Sequence, residues 1–143
     1  MKRISFLAVI VGGITDMGTT FVFSLLVSIY VMVKHDVMHL PKSEMAPTLT
    51  KLLHSDHVVY LSLILLGAMC SMLGGYVAGK VAKHDHVLNG LLSCLFCVSS
   101  GVYGLTHGSA MVEFVLEVPL SVGVAALGGY LSRPRPAQIP ASL

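Results

Sequence analysis

The chain of 143 residues carries very little charge: 11% of its residues are Asp, Glu, Lys or Arg, and 55% are hydrophobic. Soluble domains have about 25% charged residues, so a chain with this composition cannot cover a water-facing surface. The formal net charge of +2 is too small to indicate a nucleic-acid partner.

Four apolar runs predict an all-α membrane protein that forms a bundle of four transmembrane helices. The runs cover residues 4–33, 58–81, 87–106 and 111–131. About 20 apolar residues cross the hydrocarbon core of a bilayer. The first run is about 45 Å long as a helix, so we expect it to tilt or to project from the membrane. No signal-peptidase site follows it, which predicts an uncleaved first helix. The whole chain, 1–143, is predicted to be one integral-membrane domain.

The distribution of basic residues predicts that both termini are cytoplasmic. Six lysines and arginines lie on the side of the N-terminus: Lys2, Arg3, Lys80, Lys83, Arg133 and Arg135. Three lie on the opposite side: Lys34, Lys42 and Lys51. Cytoplasmic segments carry the excess of positive charge, so the larger group indicates the inner side.

The connections between the runs differ strongly in length. The outer loop, 34–57, contains leucines at helical spacing after Pro47, which predict a short helix on the membrane surface. The links 82–86 and 107–110 are short, so consecutive helices should be antiparallel neighbours. The tail, 132–143, is rich in proline and is predicted to be flexible.

Small or polar residues recur at every fourth position of each run, which predicts the packing faces of the helices. Helices in lipid associate through close contact of small residues and through hydrogen bonds between helices. The predicted packing residues are Gly12, Gly67, Ser71, Gly75, Gly79, Gly101, Ala125 and Gly129. The second and fourth helices also share the sequence LGGY, at 73–76 and 127–130, followed by a basic residue. The preference of Tyr and Lys/Arg for the membrane interface explains this repeated sequence, and duplication of a helical hairpin is the alternative explanation.

Asp16 is the leading candidate for an intramembrane site. It lies about 18 Å along the first helix, near the middle of the bilayer, where a charged side chain is costly. Asp16 is one of the small or polar residues that recur at every fourth position of the first run, so it should lie on the packing face of that helix. The hydroxyls of Thr15, Thr19 and Thr20 are its expected partners. The functional interpretation is a proton or cation site, and the alternative is a hydrogen-bonded residue that fixes helix register.

Glu113 and Glu117 are a second candidate pair, because they are four residues apart and share one face of the last helix. Pro119 follows and is expected to loosen the helix. The functional interpretation is the outer mouth of a cation path that ends at Asp16. The alternative is a pair of interfacial residues that reach toward water.

Histidines near the outer loop are weak candidates for a metal site: His35, His39, His54 and His57. Zinc or copper would suit imidazole ligands, but no tight metal motif is present, so we predict no metal and no other cofactor. Cys94 and Cys97 form C-x-x-C within the third run, at a depth similar to Cys70. No basic group is available there to favour a thiolate, so buried apolar cysteines are favoured over a redox pair.

The segment LGGYVAGKVAKHDHVLNGL, residues 73–91, resembles the G-G-Y-x-A-G-[K/R]-x-A and N-G pattern of uncharacterised families of small bacterial inner-membrane proteins. The resemblance implies a four-helix fold in the bacterial inner membrane, and no activity. The chain is also similar in size to the small multidrug transporters, which have a membrane-embedded acid in the first helix. It departs from them in having Asp16 in place of glutamate, no tryptophan and a longer first outer loop.

Three functions remain open on these observations. The first is a non-enzymatic membrane protein that is oligomeric or an accessory subunit of a larger membrane complex. The alternative is a small proton-coupled transporter or channel that uses Asp16 and Glu117. A redox or metal enzyme on the outer face is the third, and it is the only one that needs the cysteines or histidines.

Overall fold

The computed structural model describes residues 4–106 and 111–134. These ranges contain helices and no strand, in the order α1 (Phe6–Lys34), α2 (Lys42–Ser55), α3 (His57–Ala82), α4 (His86–Ser93), α5 (Leu95–Thr106) and α6 (Met111–Leu131). Four segments are long and apolar enough to cross a membrane: α1, α3, His86–Tyr103 and Phe114–Leu131. The prediction of an all-α, four-span bundle is confirmed. Most of the tail and the link 107–110 lie outside the described residues.

The segment between the first two spans is more ordered than predicted. The surface helix α2 begins at Lys42, directly after Pro41, and runs through Pro47. The short helix predicted from the leucines after Pro47 is present, and it begins before that proline. A proline inside a helix removes one backbone hydrogen bond and crowds the preceding turn, and α2 continues through Pro47 despite this cost. We call the end of the bundle that carries α2 the α2 end, and the opposite end, with residues 83–85, the turn end.

Helix α3 is the centre of the bundle, because it packs against α1, α4 and α6. Its contact with α6 joins two helices that run in the same direction, in addition to the antiparallel neighbours predicted from the short links. A Cβ built on Gly75 would meet the backbone of Ala125, and one built on Gly79 would lie 3.3 Å from the Cα of Gly129. The two LGGY segments therefore meet side by side, displaced by one helical turn.

Close backbone approach also joins α1 to α3. A Cβ on Gly12 would lie 2.6 Å from the Cβ of Ala78, and one on Gly74 would lie 2.8 Å from the carbonyl oxygen of Gly12. Gly101 is likewise close to the ring of Phe114, at 3.0 Å. The prediction is wrong for Gly67, because a Cβ there would have no atom within 4 Å. Gly67 borders open space instead of a neighbouring helix.

The third span is broken into two helices, whereas one continuous helix was predicted. The N–H of Cys94 bonds to the carbonyl of Leu91, three residues back, at 3.1 Å, so the chain tightens between α4 and α5. Helix α4 packs against α1, α3 and α6, but α5 contacts only α1, α4 and α6 among the described elements. Because α5 does not pack along α3, space remains between these two helices at the α2 end.

Candidate functional site

Asp16 is buried in the bundle, with 3% of its surface exposed. The hydroxyl of Ser71 on α3 lies 3.2 Å from each carboxyl oxygen and donates a hydrogen bond to the carboxylate. The close approach of the two helices explains this contact, because a Cβ on Gly74 would lie only 2.7 Å from the Cβ of Asp16. Small residues thus bring a hydroxyl from a second helix to an acid that lipid would not tolerate.

The threonines around Asp16 have different partners. Thr15 donates to the carbonyl of Val11 at 2.8 Å, and Thr19 donates to the carbonyl of Thr15 at 2.7 Å. Hydroxyls within helices commonly bond in this way to the preceding turn. The prediction that Thr15 and Thr19 serve the carboxyl is therefore wrong. Thr20 interacts with Asp16, as predicted.

Two adjoining cavities lie beside the Asp16–Ser71 pair. The first, of about 310 Å³, lies between α1, α3, α5 and α6 and reaches α2. We call it the polar cavity, and its polar lining residues are Thr20, Ser24, His54, Tyr60, Ser71, Cys97, Glu117 and Ser121. The second, of about 300 Å³, lies between α1 and α5 and includes Asp16 itself. Thr20, Ser24 and Cys97 line both cavities, so polar groups continue from one to the other.

Glu117 lies on α6 and lines the polar cavity, which brings the two predicted acids to one connected space. Its side chain is exposed, unlike that of Asp16. The position of Glu117 is about 9 Å along α6 from the start of the helix, on the α2 side of Asp16. Helix α6 continues through Pro119 without a break. The side chain of Glu113 lies outside what the structure describes.

The polar cavity does not continue to the turn end. Below Asp16 the helices meet at Gly12 and Ala78, and Ala78 has no exposed surface. Asn89, also fully buried, accepts a hydrogen bond from the N–H of Ser5 at 2.8 Å. Its amide nitrogen lies 3.1 Å from the carbonyl of His84 and donates to it. These contacts tie α1, α4 and the 83–85 turn together and close this end.

Helix α2 lies over the open end of the polar cavity, where Leu53 and His54 form part of its lining. The rings of His54 and Tyr60 are 5.8 Å apart. Asp56 fixes the junction with α3, because it accepts hydrogen bonds from the N–H groups of Val58 and Val59 and pairs with Lys34 at 3.3 Å. The hydrogen bond from Val59 and the neighbouring ammonium group hold the pKa of Asp56 below its ordinary value.

The weak metal candidates are not brought together. His35 directly follows α1, His57 begins α3, and His39 pairs with Asp36 at 3.2 Å on the surface. The part of the chain that the structure describes contains no group of three His, Cys, Asp or Glu side chains suited to a metal. All three cysteines are free thiols; Cys70 and Cys94 are buried and Cys97 is half-buried.

Comparison with known protein families, with curated proteins and with solved structures finds no match to this chain. The geometry of the polar cavity is therefore the basis on which its function is inferred.

Proposed function

We propose that this chain is a small proton-coupled transporter or channel in which Asp16 is the proton or cation site and Glu117 attracts cations to the cavity mouth. We further propose a bacterial inner membrane as its location, with both termini cytoplasmic, so that the polar cavity opens to the outside. The observation that carries the proposal is the position of Asp16, which is buried beside a connected, hydroxyl-lined space that also contains a second carboxyl.

The chemistry of the lining fits a small cation better than an apolar ligand. Hydroxyls of Ser71, Ser24 and Thr20 offer oxygen atoms to a cation near Asp16, and they also hydrogen-bond well to water. Intramembrane acids that face a cavity commonly belong to ion paths and proton relays.

The closed turn end favours a transporter over a permanently open channel. The polar cavity beside Asp16 reaches α2, whereas Gly12, Ala78 and Asn89 are tightly packed on the turn-end side of Asp16. Release on the other side requires a second conformation in which these contacts open and the upper cavity closes. The break at Cys94 separates the packed α4 from the divergent α5, and it offers a place for such a movement.

An oligomeric or accessory role remains a separate proposal with less support. That expectation relied on small-residue stripes that would pack against a second chain. Gly12, Gly75 and Gly79 are occupied by contacts within the same chain, so they are not available to a partner. The absence of enzymatic activity likewise remains an expectation.

Infrared spectroscopy of the reconstituted protein tests the proposal without knowledge of a substrate. The carboxyl stretching band is followed from pH 5 to pH 9, and Asp16→Asn identifies the contribution of Asp16. We expect a titrating band that is lost in Asp16→Asn and retained in Asp85→Asn, a control acid in the turn outside the cavity. A folded protein in which the Asp16 carboxyl keeps one protonation state throughout would contradict proton transfer.

A flux measurement complements the spectroscopy. Liposomes that contain a pH-sensitive dye and carry an imposed membrane potential should acidify faster with the wild-type protein than without protein. Asn can still accept the hydrogen bond from Ser71, so Asp16→Asn should fold normally but lose this flux. Glu117→Gln should reduce the flux without abolishing it, because Glu117 lies at the mouth. Equal flux in wild type and Asp16→Asn, in both cases above that of protein-free liposomes, would refute the assignment.

A further inference from the structure

We infer that the polar cavity binds a small organic amine as its ammonium ion, with the charged group at Glu117 and the apolar part against the leucine and isoleucine side chains of the wall. The inference rests on the proposed function, because it names the class of substrate that would move through the same cavity. The volume of the cavity, its apolar wall and the charge and hydroxyl groups of its lining carry it.

The size of the polar cavity suits an organic molecule. Its volume is about 310 Å³. A water molecule occupies about 30 Å³ in the liquid, so the cavity has room for about ten waters or for a ligand of about ten non-hydrogen atoms. An inorganic ion is held by atoms about 2–2.6 Å away and fills little of this space. The volume therefore indicates an organic ligand or a column of water.

The wall of the polar cavity favours the organic ligand over water alone. Five apolar side chains from α2, α3 and α6 line it: Leu53, Leu63, Ile64, Ala68 and Leu120. Such side chains offer no hydrogen bonds to a column of water, whereas the burial of apolar ligand surface against them is favourable. Sites for small molecules commonly combine an apolar lining with a few polar groups that fix the orientation of the ligand.

The charge of the lining favours a cation. Among the described residues that line the polar cavity, Glu117 is the one acid, and lysine and arginine are absent. Asp16 adds a second carboxyl in the adjoining cavity. Both carboxyls interact electrostatically with the thiol of Cys97, which lines both cavities, so they act on the same space. His54, on α2, is the titratable base in this described lining.

The hydroxyl groups of the lining specify the kind of cation. Thr20, Ser24, Ser71 and Ser121 all line the polar cavity. Ser121 is four residues after Glu117, so a carboxyl and a hydroxyl share one face of α6. A protonated primary amine has three N–H donors and no acceptor, which matches a carboxylate surrounded by hydroxyl oxygens. A quaternary ammonium ion has no donor and would not use these oxygens.

A scintillation proximity assay with tritiated 2-phenylethylamine tests the inference on the purified wild-type chain at pH 7. The competitors are unlabelled 2-phenylethylamine, its N-trimethyl analogue, and 2-phenylethanol, which has the same shape and no charge. A hydrogen bond to a charged group changes affinity on the order of 10- to 100-fold. We therefore expect the unlabelled amine to compete at least tenfold more effectively than either analogue.

Two acid variants test the place of the ammonium group. Glu117→Gln should weaken the binding of 2-phenylethylamine on the order of 10-fold or more, because it removes the charge that pairs with the amine. Glu44→Gln is the matched control, because Glu44 lies in α2 at the same end of the bundle but does not line the cavity. An equal loss in both variants would show a general attraction of cations and would overturn the assignment to Glu117.

Two glycine variants test whether the amine occupies the polar cavity. A Cβ on Gly67 has no atom within 4 Å, and Gly67 lines the cavity, so the side chain of Gly67→Leu should fill this space and block binding. Gly123→Leu is the matched control, because its Cβ likewise has no atom within 4 Å but Gly123 does not line the cavity. Full binding by a folded Gly67→Leu protein would overturn the location.

Three results with the wild-type chain would overturn the inference even if no variant folds. They are the absence of saturable binding, equal competition by 2-phenylethanol or the N-trimethyl analogue, and equally effective competition by sodium or ammonium chloride, which would indicate a site for inorganic cations. The proposed function fails separately, when the Asp16 carboxyl does not titrate and the flux is absent. A chain that transfers protons but does not bind 2-phenylethylamine would contradict the amine alone.

Discussion

The stabilities of alanine variants in a single helix, α3, can distinguish glycines that pack against another helix from the glycine that borders the polar cavity. Gly75 and Gly67 both lie inside α3, two turns apart. A Cβ on Gly75 would meet the carbonyl oxygen, carbon and Cα of Ala125, whereas one on Gly67 would meet no atom within 4 Å. Alanine is the favoured residue in a helix interior, by about 1 kcal/mol over glycine, and this gain is common to both substitutions.

The expected difference between the two variants is therefore the steric cost alone. Overpacking of a tight interior costs about 1–3 kcal/mol. The atoms that Gly75→Ala would meet belong to a backbone and cannot rotate away, so we expect the upper part of this range. A difference of about 3 kcal/mol changes the unfolding equilibrium on the order of 100-fold. Gly67→Ala should leave stability unchanged or increase it slightly.

Gly79→Ala gives an intermediate case that tests the reasoning further. Its added Cβ would meet mainly the side chain of Ser132, which can change rotamer but would then lose its 2.7 Å hydrogen bond to the carbonyl of Gly129. We therefore expect a loss between those of the other two variants. Unfolding in mixed micelles, driven by an ionic detergent and followed by circular dichroism, measures all three. Equal stability of Gly75→Ala and Gly67→Ala would refute the packing described for α3 and α6.

Three other predictions follow from the chemistry of single residues and from the charge distribution. The lowered pKa of Asp56 stabilises the fold at pH values above the ordinary carboxyl pKa, and this contribution is lost as the pH falls through the lower pKa of the folded state. The ionic-detergent fraction at which half of the protein is unfolded should therefore decrease when the pH is lowered below about 4, and it should decrease less in Asp56→Asn. A water-soluble maleimide should modify Cys97, which lines the polar cavity, before the buried Cys70 and Cys94; peptide mapping checks this, and prior labelling of either buried thiol would contradict it. A reporter active only in the periplasm should stay silent when fused after Leu143, and activity there would contradict cytoplasmic termini.

The sequence predicted the features that depend on single helices. The thickness of a bilayer sets the length of a span, so apolar runs located the four spans. The spacing of small residues also located most contact faces, including Gly12, Gly75 and Gly79. These patterns are local, and no knowledge of neighbouring helices is needed to see them.

Features that depend on the relative rotation of two helices were missed. Ser71 was assigned to packing, and Thr15 and Thr19 were assigned to Asp16, because the sequence does not show which face of α3 meets Asp16. The displacement of the LGGY segments by one turn is a property of the pair. The break in the third span at Cys94 could not be predicted, because no proline or glycine is present at that position. Gly67 has the same spacing as the packed glycines and differs only in what lies opposite.

The distribution of occupied and open glycines connects the fold to the proposed site. Glycines toward the turn end, such as Gly12, Gly74, Gly75 and Gly129, are in close contact with other helices. Gly67, nearer the α2 end, lines the polar cavity and has no neighbouring atom within 4 Å at its Cβ position. Close packing toward the turn end and the open position at Gly67 thus place the polar cavity toward α2. Asp16 lies where close packing gives way to this space, so it is bonded to Ser71 and also borders a cavity. One turn closer to the turn end, at Gly12, an added Cβ would lie 2.6 Å from the Cβ of Ala78, so that position on the same face has no room for a carboxyl.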